Sequence, residues 1–172
     1  MTLHTYLPQD RLRALMRGTT LPDRTSGSAL FADISGFTPL TEKLTRDLGA
    51  RRGIDELTLR INSVYDALIG EVDRFGGSII SFAGDAIICW FDSNLNEPSI
   101  RAVMCAQAMQ LVMQRIPDLS VKVAVSTGSV RRFAIGNPEI RLIDALAGAT
   151  VARLAMAEHL AGPGEICISF ES

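Results

Sequence analysis

The sequence predicts an α+β domain, a mostly antiparallel sheet with helices on one face. Three observations predict it. Short apolar runs bounded by glycine are interspersed with helical periodicities. Two such runs, residues 78–82 and 86–91, are separated only by Ala83, Gly84 and Asp85, a spacing that makes a hairpin and therefore antiparallel strands. The chain has 172 residues, 47% hydrophobic and 21% charged, which suits one core stable without disulfides or structural metal.

Taken in order, residues 6–18 read as a short helix, with Pro8 in its first turn, Leu12, Leu15 and Met16 as a stripe, and Gly18 as its stop. Polar residues 19–28 lead into the main fold. Residues 1–28 are thus assigned to an N-terminal helix and lead-in, and 29–172 to one domain. Ala29-Leu30-Phe31-Ala32 is a buried strand. Thr38 as cap and Pro39 as first residue start a helix whose Leu40, Leu44 and Leu48 share a face. Residues 54–75 carry the clearest helical period: Ile54, Leu57, Ile61, Val64, Leu68, Val72. The hairpin follows. A helix over 98–115 is expected to bury Ile100, Val103, Met104, Gln107 and Leu111. Val121, Val123 and Val125 alternate as in a half-buried strand. Gly128 then reads as a turn into a further strand, 130–135, and the turn 136–138 leads to another, 140–143. A helix over 147–160 and a strand over 165–169 complete the chain. The order β-α-α-β-β-α-β-β-β-α-β contains the βαββαβ core of the ferredoxin-like arrangement, with additions.

Composition removes several functions. Seventeen basic against nineteen acidic residues leave a net charge of −2, so no nucleic-acid footprint is present. No run approaches the ~18 apolar residues of a membrane span. Met1 to Pro8 lack the cationic and apolar regions of a signal peptide. Cys89, Cys105 and Cys167 are an odd number, each in an apolar segment, as in reduced core thiols; a cytoplasmic location is expected. No GxxxxGK[ST] motif occurs. The arginine pairs 51–52 and 131–132 read as solvated surface, and Trp90 as core.

Two segments can carry chemistry. Asp33 leaves the end of a buried strand, and Ile34-Ser35-Gly36-Phe37-Thr38 turns into a helix whose first N–H groups can hold phosphate oxygens. Asp33 either orders that turn or holds Mg²⁺, which favours one or two carboxylates plus substrate phosphates. Gly84-Asp85 is either a plain hairpin tip or a second carboxylate. If the two strands are neighbours, both acids emerge at one sheet edge, where they can bridge two divalent ions about 3.5–4 Å apart.

Leu30 to Thr38, with Phe75-Gly76-Gly77 and Phe82-Ala83-Gly84-Asp85-Ala86, resembles the catalytic domain of the class III nucleotidyl (adenylyl or guanylyl) cyclases, most of all the soluble, bicarbonate-responsive adenylyl cyclase branch. The similarity runs from Leu30 to Ser169. It implies that Asp33 and Asp85 bind two Mg²⁺ or Mn²⁺ ions, with the Ile34 carbonyl as a further metal ligand. It implies that Ile34, Ser35, Gly36, Phe37 and Thr38, with Gly84, form the triphosphate-binding segment. The implied reaction is attack of the ribose 3′-oxygen on the α-phosphorus of ATP, or GTP, giving the cyclic nucleotide and pyrophosphate. The family builds its site between two such domains, the second supplying an asparagine and, four residues on, an arginine. Arg153 fits the arginine, but Ala149 stands at the asparagine position. Ser81 stands where many members place a lysine. The resemblance therefore implies a second cyclase domain as partner, in tandem after Ser172 or as a second copy, with this chain as the first domain. A degenerate, regulatory cyclase-like module is the alternative. The branch's anion-holding lysine and arginine fall at Ser81 and Arg153, so bicarbonate responsiveness does not carry over.

Overall fold

The computed structural model describes residues 7–137 and 141–169, with the side chains of 141 and 142 outside that description. Helix α1 (Gln9–Met16) precedes strand β1 (Arg24–Ser35), helices α2 (Phe37–Leu48) and α3 (Ala50–Arg74), the hairpin β2 (Ser78–Ala83) and β3 (Ala86–Asp92), helix α4 (Pro98–Met113), strands β4 (Ser120–Asn137) and β5 (Arg141–Ala147), helix α5 (Ala149–Leu160) and strand β6 (Ile166–Ser169). The sequence-predicted positions Tyr6, Pro138 and Ile140 lie outside the described residues.

The sheet order is β2-β3-β1-β4-β5. Every neighbour in that path is antiparallel, and β6 adds a parallel pairing with β4. The mixed architecture is the expected one, with a helical layer on one face. There α2, α3 and α4 pack on Leu30, Ala32 and Ile34 of β1 and Val121, Val123 and Val125 of β4. The opposite face is covered too. Ala29, Trp90, Ala124 and Val130 pack with Leu154 and Ala157 of α5. The unbroken run Ala29–Ala32 is the reason: a strand apolar on both faces must be buried on both.

Three local expectations are corrected. Helix α2 starts at Phe37, capped by Gly36 rather than Thr38. Gly36 has φ 104, and a Cβ there would lie 2.4 Å from the Asp118 carbonyl oxygen, so only glycine fits this close approach. Helix α4 buries Ala102, Cys105, Ala106, Met109 and Met113, leaving Ile100, Met104 and Leu111 50%, 49% and 60% exposed. Its residues are apolar nearly all round, so their period does not choose a face; the small side chains do, by letting the helix approach the sheet. Gly128 makes no turn. It lies within the single long strand β4, directly opposite Gly27 of β1.

Trp90 is core. Cys89 and Cys105 are buried, and burial pushes the Cys105 thiol up to about 12 and that of Cys89 well above its ordinary value, so both stay protonated. The arginine pair 131–132 divides. Arg131 is exposed and binds Asp23, whereas Arg132 is buried between Asp144 and Asp10, contrary to the solvated reading. No helix among the described residues is long and apolar enough to cross a membrane.

Candidate active site

Strand β1 delivers Asp33 two residues before its end, paired with Ala86 of β3 on one side and Lys122 of β4 on the other. Asp85 comes immediately before Ala86 in the β2–β3 turn. Its carbonyl accepts a 3.4 Å hydrogen bond from the Ile34 amide. The two aspartates therefore leave the same end of adjoining strands, as the hairpin reading required. Gly84 allows the tight turn through its φ of 65.

The segment after Asp33 is shaped as much by the fold as for any ligand. The Ile34 side chain is buried in the helical-face core. The Ser35 hydroxyl is taken by Ser120 at 2.8 Å. Phe37 and Thr38 open α2, where backbone N–H groups have no intrahelical acceptor, and Pro39 has no N–H to add. Asp33, Asp85 and residues 34–38 thus meet at one corner of the sheet.

Electrostatics mark the same corner. The Asp33 carboxyl is held above its ordinary value, first by burial and then by the charges of Asp85 and Glu158, against the opposing pull of Lys122. Burial, followed by the charges of Asp85 and Asp33, also raises the phenol of Tyr65. Tyr65 reaches this corner from α3, its ring edge-on to Phe82 at 5.8 Å. Tyr65, Lys122 and Glu158 were not singled out from the sequence. Lys122 is one of only two lysines, which is a signal, but its position opposite Asp33 depends on strand register.

On the same face as Asp33 lies a cavity of about 420 Å³, walled by Phe31, Ile80, Ile88 and Leu154 and reaching Ser81 and Glu158. Arg153 lies elsewhere. Its guanidinium donates to the Thr127 carbonyl at 3.1 Å and to Thr150 Oγ1 at 3.3 Å. Thr127 pairs with Ser28, five residues and about 17 Å of strand from Asp33. A single chain does not bring Arg153 to the aspartates. Ala149, at the first position of α5, is exposed and has no side chain with which to reach a ligand.

The donor set suits a hard divalent cation. It offers carboxylate oxygens, and among the described residues no group of three or more His, Cys, Asp or Glu side chains forms a complete cage. Such a pair leaves coordination positions for substrate phosphates.

No family model matches the chain. Rat adenylate cyclase type 10 is 27% identical over 168 residues, 90% of this chain and 10% of the relative. The human protein of that name is 26% identical over 155 residues. The photoactivated adenylate cyclase subunit beta of Euglena gracilis is 27% identical over 133 residues, 74% of this chain and 15% of that protein. The chain therefore spans about a tenth of the first of these relatives. Among solved structures, the adenylyl cyclase CyaB of P. aeruginosa superposes with a TM-score of 0.68 at 25% identity, covering 85% of this chain and 77% of that one. The guanylyl cyclase Cya2 gives 0.70 at 26%, covering 86% and 76%.

Proposed function

From the premise that the chain's relatives in sequence and structure are class III adenylyl and guanylyl cyclases, we propose that it is a metal-dependent nucleotidyl cyclase domain, converting ATP to cyclic AMP and pyrophosphate at a site completed by a partner domain. The observation that carries the reading is the convergence of Asp33 and Asp85 at one end of neighbouring strands, beside the start of α2. Relatives of both nucleotide specificities leave GTP open as substrate.

In this reading Asp33 and Asp85 hold two Mg²⁺ or Mn²⁺ ions. When bound, these supply acidification of the ribose 3′-hydroxyl and neutralisation of charge on the phosphoryl group. The chain's own groups do the rest. Asp33 and Asp85 fix the reacting end of the substrate at the sheet edge. The backbone N–H groups of Phe37 and Thr38 hold phosphate oxygens, favoured by the positive end of the α2 dipole. Arg153 serves across the interface, because within its own chain it lies far from Asp33. The free thiols, of which Cys89 and Cys105 are buried, suit a cytoplasmic setting.

A second reading, a regulatory module without turnover, is favoured by Ala149 and Ser81 at positions where the family places asparagine and lysine. One experiment separates them. Cyclic nucleotide production from ATP and from GTP is measured with Mg²⁺ or Mn²⁺, in the presence of a cyclase domain supplying an Asn-x-x-x-Arg helix. Production that drops about 10²–10³-fold or more in Asp33→Ala and in Asp85→Ala, with the fold retained by circular dichroism, supports catalysis. Production unaffected by both substitutions rejects it. No product from the unaltered chain under any of these conditions leaves the regulatory module.

A further inference from the structure

Lys122 lies between two carboxylates on different elements. Its ammonium is 3.3 Å from Asp33 Oδ2 of β1 and 2.5 Å from Glu158 Oε1 of α5. The three side chains are comparably sheltered, 23%, 23% and 19% exposed. One cation thus serves two anions, and the shorter contact is the one to Glu158. Asp85 and Tyr65 also face this corner, and neither supplies a positive charge.

A lysine is a compact charge on a flexible four-carbon stem, able to exchange partners without moving the backbone. The geometry points to Lys122 as a resident counter-ion of Asp33, which gives up its place to a divalent cation by settling wholly on Glu158. The inference rests on the reading of Asp33 as a metal ligand and goes beyond it. Lys122 is a positioning residue: it keeps Asp33 compensated while no metal is bound, and it sets the concentration at which metal binds. Glu158 is the second seat that makes the exchange possible. Without Glu158 the ammonium has only Asp33 and competes harder. Without Lys122, Glu158 has nothing to hold away from Asp33.

The test is Mn²⁺ binding to the 172-residue chain without nucleotide, followed through the free-ion electron paramagnetic resonance signal. Lys122→Met is expected to bind Mn²⁺ about fivefold more tightly, and Glu158→Gln several-fold more weakly. In the Lys122→Met background, Glu158→Gln should have almost no effect, and Asp33→Asn should abolish binding. Lys122→Gln, shorter and polar, repeats the measurement with a second side chain. Unchanged affinity in both Lys122 variants overturns the counter-ion role and leaves Asp33 as a ligand. An equal effect of Glu158→Gln with and without Lys122 overturns it too, because simple charge then accounts for the result. Binding that survives Asp33→Asn, or no Mn²⁺ binding at millimolar concentration by any variant, removes the metal reading of Asp33 and the counter-ion role with it.

Discussion

Arg132 is 3% exposed and is held by two carboxylates. Asp144 accepts from its Nε at 2.9 Å and its second terminal nitrogen at 2.5 Å, and Asp10 accepts from both terminal nitrogens. Arg11 adds a 2.9 Å contact to Asp144. Burial alone would push the Asp10 carboxyl up; hydrogen bonding and attraction from Arg132 outweigh it and hold the group below 3.8. The stability Asp10 contributes is therefore fully present above pH 3.8 and is lost as pH falls through the lowered native value. Asp10→Asn is expected to cost about 1 kcal/mol in urea unfolding near pH ~7, and to cost less near pH ~2, because the contribution of the ionised carboxyl is lost as pH falls through its lowered native value. A penalty of equal size at both pH values would show that the charge of Asp10 is irrelevant. Single residues of the candidate site were legible to unequal degrees. Asp33 and Asp85 could be read because local turn chemistry announces them. Lys122, Glu158 and Arg132 could not, because their partners lie 89, 36 and 12 or 122 residues away and only strand register and the packing of α1 and α5 on the sheet join them.

At the scale of elements, the pairing of β1 with β3 depends on Gly27. A Cβ at Gly27 would lie 2.3 Å from the Phe91 carbonyl oxygen and 2.6 Å from Trp90 Cζ2, one contact with backbone and one with a buried ring. Neither yields easily. Gly27→Ala should destabilise the chain by about 2–3 kcal/mol. Gly70, in the body of α3, has open space where a Cβ would stand, so Gly70→Ala should stabilise by about 0.5–1 kcal/mol. Thermal unfolding of the two variants checks the contrast, and equal shifts would refute it. Elements differ in legibility for related reasons. The C-terminal half of α3 was readable: Val64, Leu68 and Val72 fall on the buried face, as their spacing indicates. Its first turns were less so, since Ile54 is 58% exposed although it continues the same stripe. The face of α4 was hidden by uniform apolarity, and the continuity of β4 by a glycine whose local signal favours a turn while its tertiary pairing favours a strand.

For the whole molecule, the proposed chemistry is split between regions that one chain keeps apart. The aspartates occupy the end of β1 and the β2–β3 turn, while Arg153 hangs from β4 near Thr127. Two copies facing each other would combine aspartates from one with Arg153 from the other and would still lack the asparagine. Ala149→Asn adds that group at an exposed position on the first turn of α5, where no packing opposes it. The variant alone, without a complementary domain, is expected to raise cyclic nucleotide production by about 10²-fold over the unaltered chain. An unchanged rate, with dimerisation verified by sedimentation, would mean that more than the asparagine is missing.

Strand β4 carries Lys122 near its start and Arg132 ten positions on, and its pairing with β1 runs without a break from Ser120 to Arg131. Both cations have the same parity along the strand, so both project to the side that bears α5. A slip of β4 by one residue would turn them together into the apolar layer beneath α2–α4. The anchorage of the amino-terminal helix and the charge compensation of Asp33 in the acidic corner are thus guarded by one alignment, and neither can be lost by sliding without forfeiting the other.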